Sequence, residues 1–126
     1  MNIQPILQPQ PSFCSNSLLK RLFKKGKLPE VEYGLYGGKL TQENATDEHV
    51  IPRSKGGKND EVNIALATKS NNSARGNRPL KDYLTQENLN RYTRQFNDIN
   101  LPEYKFNGKR YIKKLLQFIR RALGMG

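Results

Sequence analysis

Apolar residues are spaced differently along the chain, and each spacing predicts a different element. Leu18, Leu19, Leu22 and Phe23 recur at helical intervals, with Lys20, Arg21, Lys24 and Lys25 between them. This predicts a short basic amphipathic helix, capped at Asn16 or Ser17 and ended by Gly26 and Pro29. Val31 to Leu40 mixes tyrosines with three glycines, which suits a turn leading into a strand. Thr46 to Ile51 reads as a strand, Pro52 to Asp60 as a loop, and Val62 to Ala67 as a returning strand, apolar except for Asn63. The stretch from Lys69 to Gly76 has no proline and finishes on a glycine, so it reads as a short helix carrying Asn72 and Arg75. Beyond Pro79, Thr85 is placed to cap a helix ending near Asp98, with Leu89, Tyr92 and Phe96 on one face. Pro102 separates this from a last helix between Lys109 and Leu123. Its apolar stripe is Ile112, Leu115, Leu116, Ile119, Ala122 and Leu123, with Arg110, Lys113, Gln117, Arg120 and Arg121 opposite.

At 126 residues the chain is expected to form a single domain over 1–126, since one core is what this length supports. Pro5, Pro9 and Pro11 among glutamines make residues 1–15 a mobile tail. The remaining plan is a basic helix within 16–28, a central core over 31–80 and C-terminal helices over 81–126.

Composition narrows the partners. The balance of 22 Lys plus Arg against 11 Asp plus Glu gives a formal net charge of +11, which favours polyanions, nucleic acid first. Charge alone would equally suit a merely soluble basic protein or one that binds anionic lipid. One cysteine and one histidine leave no disulfide framework and too few soft ligands for a structural zinc. Without a basic n-region and an apolar core near Met1, no secretory signal is expected, and no apolar run reaches bilayer length. The expectation is a cytoplasmic or nucleoid-associated protein, with no membrane partner and no small-molecule cofactor.

The chemistry concentrates between Thr46 and Leu80. Hydrolysing a phosphodiester takes a base for water, a cation to offset charge on phosphorus and the leaving oxygen, and groups that hold the phosphate in line. His49 is the only histidine, the residue type best suited to act as a base near neutral pH. Glu48 and Asn72 offer hard oxygens for Mg²⁺, or Mn²⁺, kept partly hydrated. Neighbours in a strand point to opposite faces, so Glu48 and His49 share a site only if the strand ends or bends there. Pro52 and the following loop supply that interruption. Asn63 is suited to pinning loop backbone, since an amide both donates and accepts. Arg53, Lys55, Lys58, Arg75 and Arg78 are candidate phosphate contacts. Each residue alone is more often structural than catalytic; it is their combination that points to a site.

That combination resembles the HNH nuclease motif of the ββα-metal, or His-Me finger, superfamily. The chain reads Glu48-His49-Val50-Ile51-Pro52-Arg53-Ser54-Lys55-Gly56-Gly57, then Asn63-Ile64-Ala65-Leu66, then Asn72-Ser73-Ala74-Arg75-Gly76. The resemblance implies an α+β fold whose core is a two-stranded antiparallel hairpin and a short helix, here flanked by basic amphipathic helices. It implies that His49 is the general base, that Glu48 and Asn72 hold one Mg²⁺, and that Asn63 orients the histidine-bearing loop. Cleavage in the family leaves a 5′-phosphate and a 3′-hydroxyl. Many HNH domains also carry two CxxC pairs around a structural zinc. Here those positions are Tyr33 and Tyr36, then Thr68 and Asn71, so no zinc is expected, and the tyrosines read as a small aromatic filling without catalytic consequence. Asp47 precedes Glu48, and which of the two carboxylates holds the metal stays open.

The leading expectation is therefore a metal-dependent HNH endonuclease acting on DNA, with RNA open as an alternative substrate. A second is a catalytically silent, basic nucleic-acid-binding protein on the same fold. A third, a ribosome- or membrane-associated basic protein, treats the motif as fortuitous.

Overall fold

The computed structural model describes residues 17–58 and 60–124. The tail expected over 1–15 lies outside the described residues.

The centre is a hairpin and a helix. Strand β3 (Ala45–His49) pairs antiparallel with β4 (Ile64–Thr68), so that Ala45 lies opposite Thr68 and His49 opposite Ile64. Every residue of β4 is buried. Helix α2 (Lys69–Arg75) leaves β4 without a connecting loop, because the Thr68 side chain accepts from the Asn71 amide and caps it.

A buried strand with one partner has unpaired amides and carbonyls on its other side, and leaving them unsatisfied is costly. Three elements close that side of β4. Strands β1 (Tyr33–Gly34) and β2 (Gly37–Lys39) form a tight hairpin. From its turn the Leu35 amide donates to the Leu66 carbonyl at 2.8 Å. Tyr92 of helix α3 (Gln86–Arg94) accepts from the Leu66 amide at 3.0 Å, and Tyr111 of helix α4 (Gly108–Ala122) donates to the Ile64 carbonyl at 2.8 Å. The two phenol oxygens lie 3.0 Å apart. Burial pushes the Tyr92 phenol above its ordinary pKa, against the pull of its hydrogen bonds with Tyr111 and the Leu66 amide.

The remaining elements wrap this layer. Helix α1 (Leu18–Lys24), capped by the Ser17 side chain, buries Leu19 and Leu22. A minimal hairpin, β5 (Asn100–Leu101) with β6 (Phe106–Asn107), leads into α4. The rings of Tyr92 and Tyr111 each lie 5.0 Å from that of Phe96, and Phe106 closes on Tyr111 at 5.8 Å. These side chains and the buried aliphatic residues form one continuous core.

The α+β, ββα architecture expected from the motif is borne out. Several boundaries differ, each for a physical reason. Val31 to Leu40 forms a hairpin of its own. Its edge is held by Gln95, which accepts from the Glu32 and Tyr33 amides at 2.8 Å and donates to the Tyr33 carbonyl at 2.9 Å. The same residue stands at the C-terminus of α3, whose helix stops at Arg94 rather than near Asp98. In α4 the buried stripe includes Tyr111, while Leu116, Ala122 and Leu123 are only half-buried.

Candidate active site

Strand β3 stops at His49, and a loop runs from there to β4. One side chain closes it. The Asn63 amide accepts from the Ile51 amide at 2.8 Å and donates to the carbonyls of Ile51 at 3.1 Å and Lys58 at 2.9 Å. At 1 % exposure its hydrogen-bonding capacity is turned onto the loop backbone. The loop crosses itself so closely that a Cβ on Gly57 would stand 1.8 Å from the Ile51 carbonyl oxygen. Only glycine fits there. Gly56 just before it has φ +92°, the left-handed region that glycine adopts without strain.

Alternation along β3 then separates its side chains. Thr46 and Glu48 lie on the face that packs against α2. On that face the Asn72 amide nitrogen donates to Thr46 Oγ1 and to the Asp47 carbonyl, each at 3.0 Å. One turn further along α2, Arg75 Nη1 lies 3.1 Å from Glu48 Oε2 and donates to the His49 carbonyl at 3.0 Å. Both charged side chains are buried, with Glu48 4 % and Arg75 2 % exposed. The Tyr36 hydroxyl, from the β1–β2 turn, donates to the same Glu48 oxygen and also lies 3.1 Å from Arg75 Nη1. Its phenol is pushed far above the ordinary value by burial first and by the Glu48 charge second, so it remains a donor.

Asp47 faces the other way. Its carboxylate accepts from the Ser17 hydroxyl at 2.6 Å and the Ser17 amide at 3.1 Å, tying the start of α1 to the strand. His49, the next residue on Asp47's side of the alternation, is half-buried at the mouth of the loop.

Across the β3–α2 contact the structure thus sets Asn72 against Thr46 and the Asp47 backbone and Arg75 against Glu48 and the His49 backbone. Asn63 holds the loop, and the His49 side chain falls on the opposite side of the alternation from Glu48. The basic candidates divide. Arg53 and Lys58 are exposed on the loop. Lys55 is exposed and donates to the Asn77 carbonyl at 2.8 Å. Arg78 stacks over the Tyr83 ring at 5.3 Å from its centroid. Arg75 was expected to reach phosphate; its guanidinium instead lies in the interior, bonded to Glu48, to the His49 carbonyl and, through Nε, to the Arg78 carbonyl at 2.9 Å. The spacing of Asn72 and Arg75, three residues apart on one helix, was a sign that both face β3.

Tyr36 is the residue that motif reasoning passed over. The positions where related domains carry cysteines are joined here by polar and aromatic contacts. The Asn71 amide nitrogen donates to the Gly37 carbonyl at 3.2 Å and its oxygen accepts from the Tyr83 hydroxyl at 3.0 Å. The Tyr83 ring meets Tyr36 edge-on at 4.8 Å. Tyr36 is thereby part of the packing and also in direct contact with Glu48.

Among the described residues no group of three or more His, Cys, Asp and Glu side chains could hold a metal ion. The donor set on the α2 face is sparse: the Glu48 carboxylate and the Asn72 amide. With its nitrogen donating to β3, the Asn72 amide has its oxygen as the end that could ligate. One carboxylate and one amide oxygen fit a hard, partly hydrated divalent cation, which supplies most of its own shell as water. They do not fit a soft metal.

A strand pair crossed by a short helix, with a histidine at the strand end and a polar donor on the helix, defines the ββα-metal class. The model of the HNH endonuclease family matches residues 35–78, so this stretch is an HNH domain, a kind of domain found in nucleases and nucleic-acid-binding proteins. No curated protein and no solved structure matches the chain. No helix among the described residues is long and apolar enough to cross a membrane.

Proposed function

We propose that this protein is a metal-dependent HNH endonuclease that hydrolyses DNA phosphodiester bonds, leaving 5′-phosphate and 3′-hydroxyl ends. The observation that carries the reading is the Asn63 lock. It fixes the backbone of the loop that begins where β3 ends at His49, while Glu48 lies on the α2 face of the same strand.

In this reading His49 takes a proton from the attacking water. Glu48 and Asn72 hold one Mg²⁺, for which Mn²⁺ can substitute; when bound it offsets charge on the phosphate and the leaving oxygen. Glu48 Oε2 is engaged by Tyr36 and Arg75, so Oε1 is the oxygen left to a cation. Asn63 acts through His49 by restricting the loop. Arg53, Lys55, Lys58 and Arg78 steady the backbone, aided by the basic residues of α1 and α4. This contribution is blind to sequence and weakens as salt rises.

Supercoiled plasmid incubated with the purified protein in Mg²⁺, Mn²⁺ or EDTA tests this. Metal-dependent nicking that His49→Ala abolishes supports the reading. A protein that shifts plasmid in a gel yet cuts neither DNA nor RNA in either metal would instead be a binding module on the same fold.

A further inference from the structure

A carboxylate expected to hold a metal ion would ordinarily be left accessible, with its charge available. Glu48 is buried, its charge is matched by an equally buried arginine, and a tyrosine fixes the same oxygen. Arg75 and Asn72 project from one face of α2, so the guanidinium reaches Glu48 while the Asn72 amide nitrogen reaches the backbone of Asp47 beside it.

We infer that Arg75 is the resident counter-cation of the metal site. It holds Glu48 in place while no metal is bound, and it opposes entry of a divalent ion into the protein alone. The inference rests on Glu48 being a metal ligand, as in the function proposed above. Its physical basis is charge. A buried carboxylate without a partner is strongly disfavoured, so some cation must accompany Glu48 at all times. Arg75 meets that need permanently, and its hydrogen bonds to the His49 and Arg78 carbonyls keep it from swinging away. A divalent ion arriving at Glu48 therefore meets a positive charge a few ångströms off, at a site where solvent screens little. A phosphodiester brings negative charge of its own and relieves that repulsion, so ion and nucleic acid bind best together. Tyr36 is a positioning residue in this arrangement. It is neutral, and it fixes Oε2 so that the carboxylate keeps one orientation whichever cation is present.

The test is thermal unfolding of the full chain, followed by circular dichroism, without and with saturating Mn²⁺ and in the absence of nucleic acid. Wild type should gain little stability from Mn²⁺. Arg75→Gln leaves Glu48 unmatched, so Mn²⁺ should raise its Tm well beyond the wild-type shift, with apparent affinity tighter by about tenfold or more. If Arg75→Gln is unfolded without metal, Mn²⁺ should restore the folded spectrum. Adding Glu48→Gln to that variant should cancel the gain, and Arg75→Lys, which keeps the positive charge, should respond to Mn²⁺ far less than Arg75→Gln does. An Arg75→Gln protein that gains no more than wild type, or that stays unfolded in saturating Mn²⁺, would overturn the inference. The two readings fail separately. Metal-dependent cutting by wild type with no gain in Arg75→Gln removes only the counter-cation. A gain that Glu48→Gln cancels, in a protein that cuts no nucleic acid, removes only the nuclease.

Discussion

Asp47 and Glu48 are adjacent acids in one strand, and the two faces of β3 use them in opposite ways. On the α2 face Glu48 is buried, ion-paired to Arg75 and bonded to Tyr36, three side chains from three different elements. On the other face Asp47 is half-buried and, among the described residues, its carboxylate holds the start of α1 through the Ser17 hydroxyl and amide. The first arrangement joins the β1–β2 turn, the strand and the helix in one network whose members are costly to lose singly. The second is a local tether. Of two carboxylates side by side in the sequence, the fold thus pairs one with Arg75 and employs the other as a fastening.

Substitutions should expose the asymmetry, and the largest effect belongs to the buried pair. Arg75→Ala leaves Glu48 buried without a counter-charge and should cost about 3–5 kcal/mol in chemical denaturation without metal. A loss under 1 kcal/mol would mean that Glu48 escapes to solvent and that the two faces differ little. Next comes Gly57→Ala, at the loop both faces share. Its Cβ would collide with the Ile51 carbonyl, so a loss of about 3 kcal/mol is expected, with faster amide hydrogen exchange over residues 50–58. Tyr36→Phe removes one donor to Glu48 while keeping the ring against Tyr83, and about 1.5 kcal/mol should be lost. The smallest change is Asp47→Ala, at about 1 kcal/mol. Among the described residues its exchange effect should centre on 17–24, because the Asp47 carboxylate holds the α1 cap.

Much of the fold was legible in the sequence. Alternation and turn chemistry located β3, the loop, β4 and α2 within a few residues, because these elements obey local rules. The β1–β2 hairpin was not, since its edge is satisfied by Gln95, a residue distant in sequence and polar enough to read as surface. Tyr111 escaped for a similar reason: its hydroxyl serves the outer edge of β4, a need that exists only once the strand is buried. At the site, the motif marked Glu48, His49, Asn63 and Asn72 by type and order. It could not show that Arg75 turns inward, because a basic residue near a nuclease motif reads equally well as a phosphate contact. Nor could it show what Tyr36 does, because the residue stands where related domains carry a cysteine and reads as a replacement for zinc.

The central claim is that the metal belongs to the α2 face of β3. Crystals grown with Mn²⁺ and a short DNA duplex would locate the ion by its anomalous scattering. The account predicts one ion in contact with the Glu48 carboxylate and the Asn72 amide oxygen, with a phosphate that spans from that ion to His49 around the end of β3. An ion held instead by Asp47, on the face that carries the α1 tether, would contradict it.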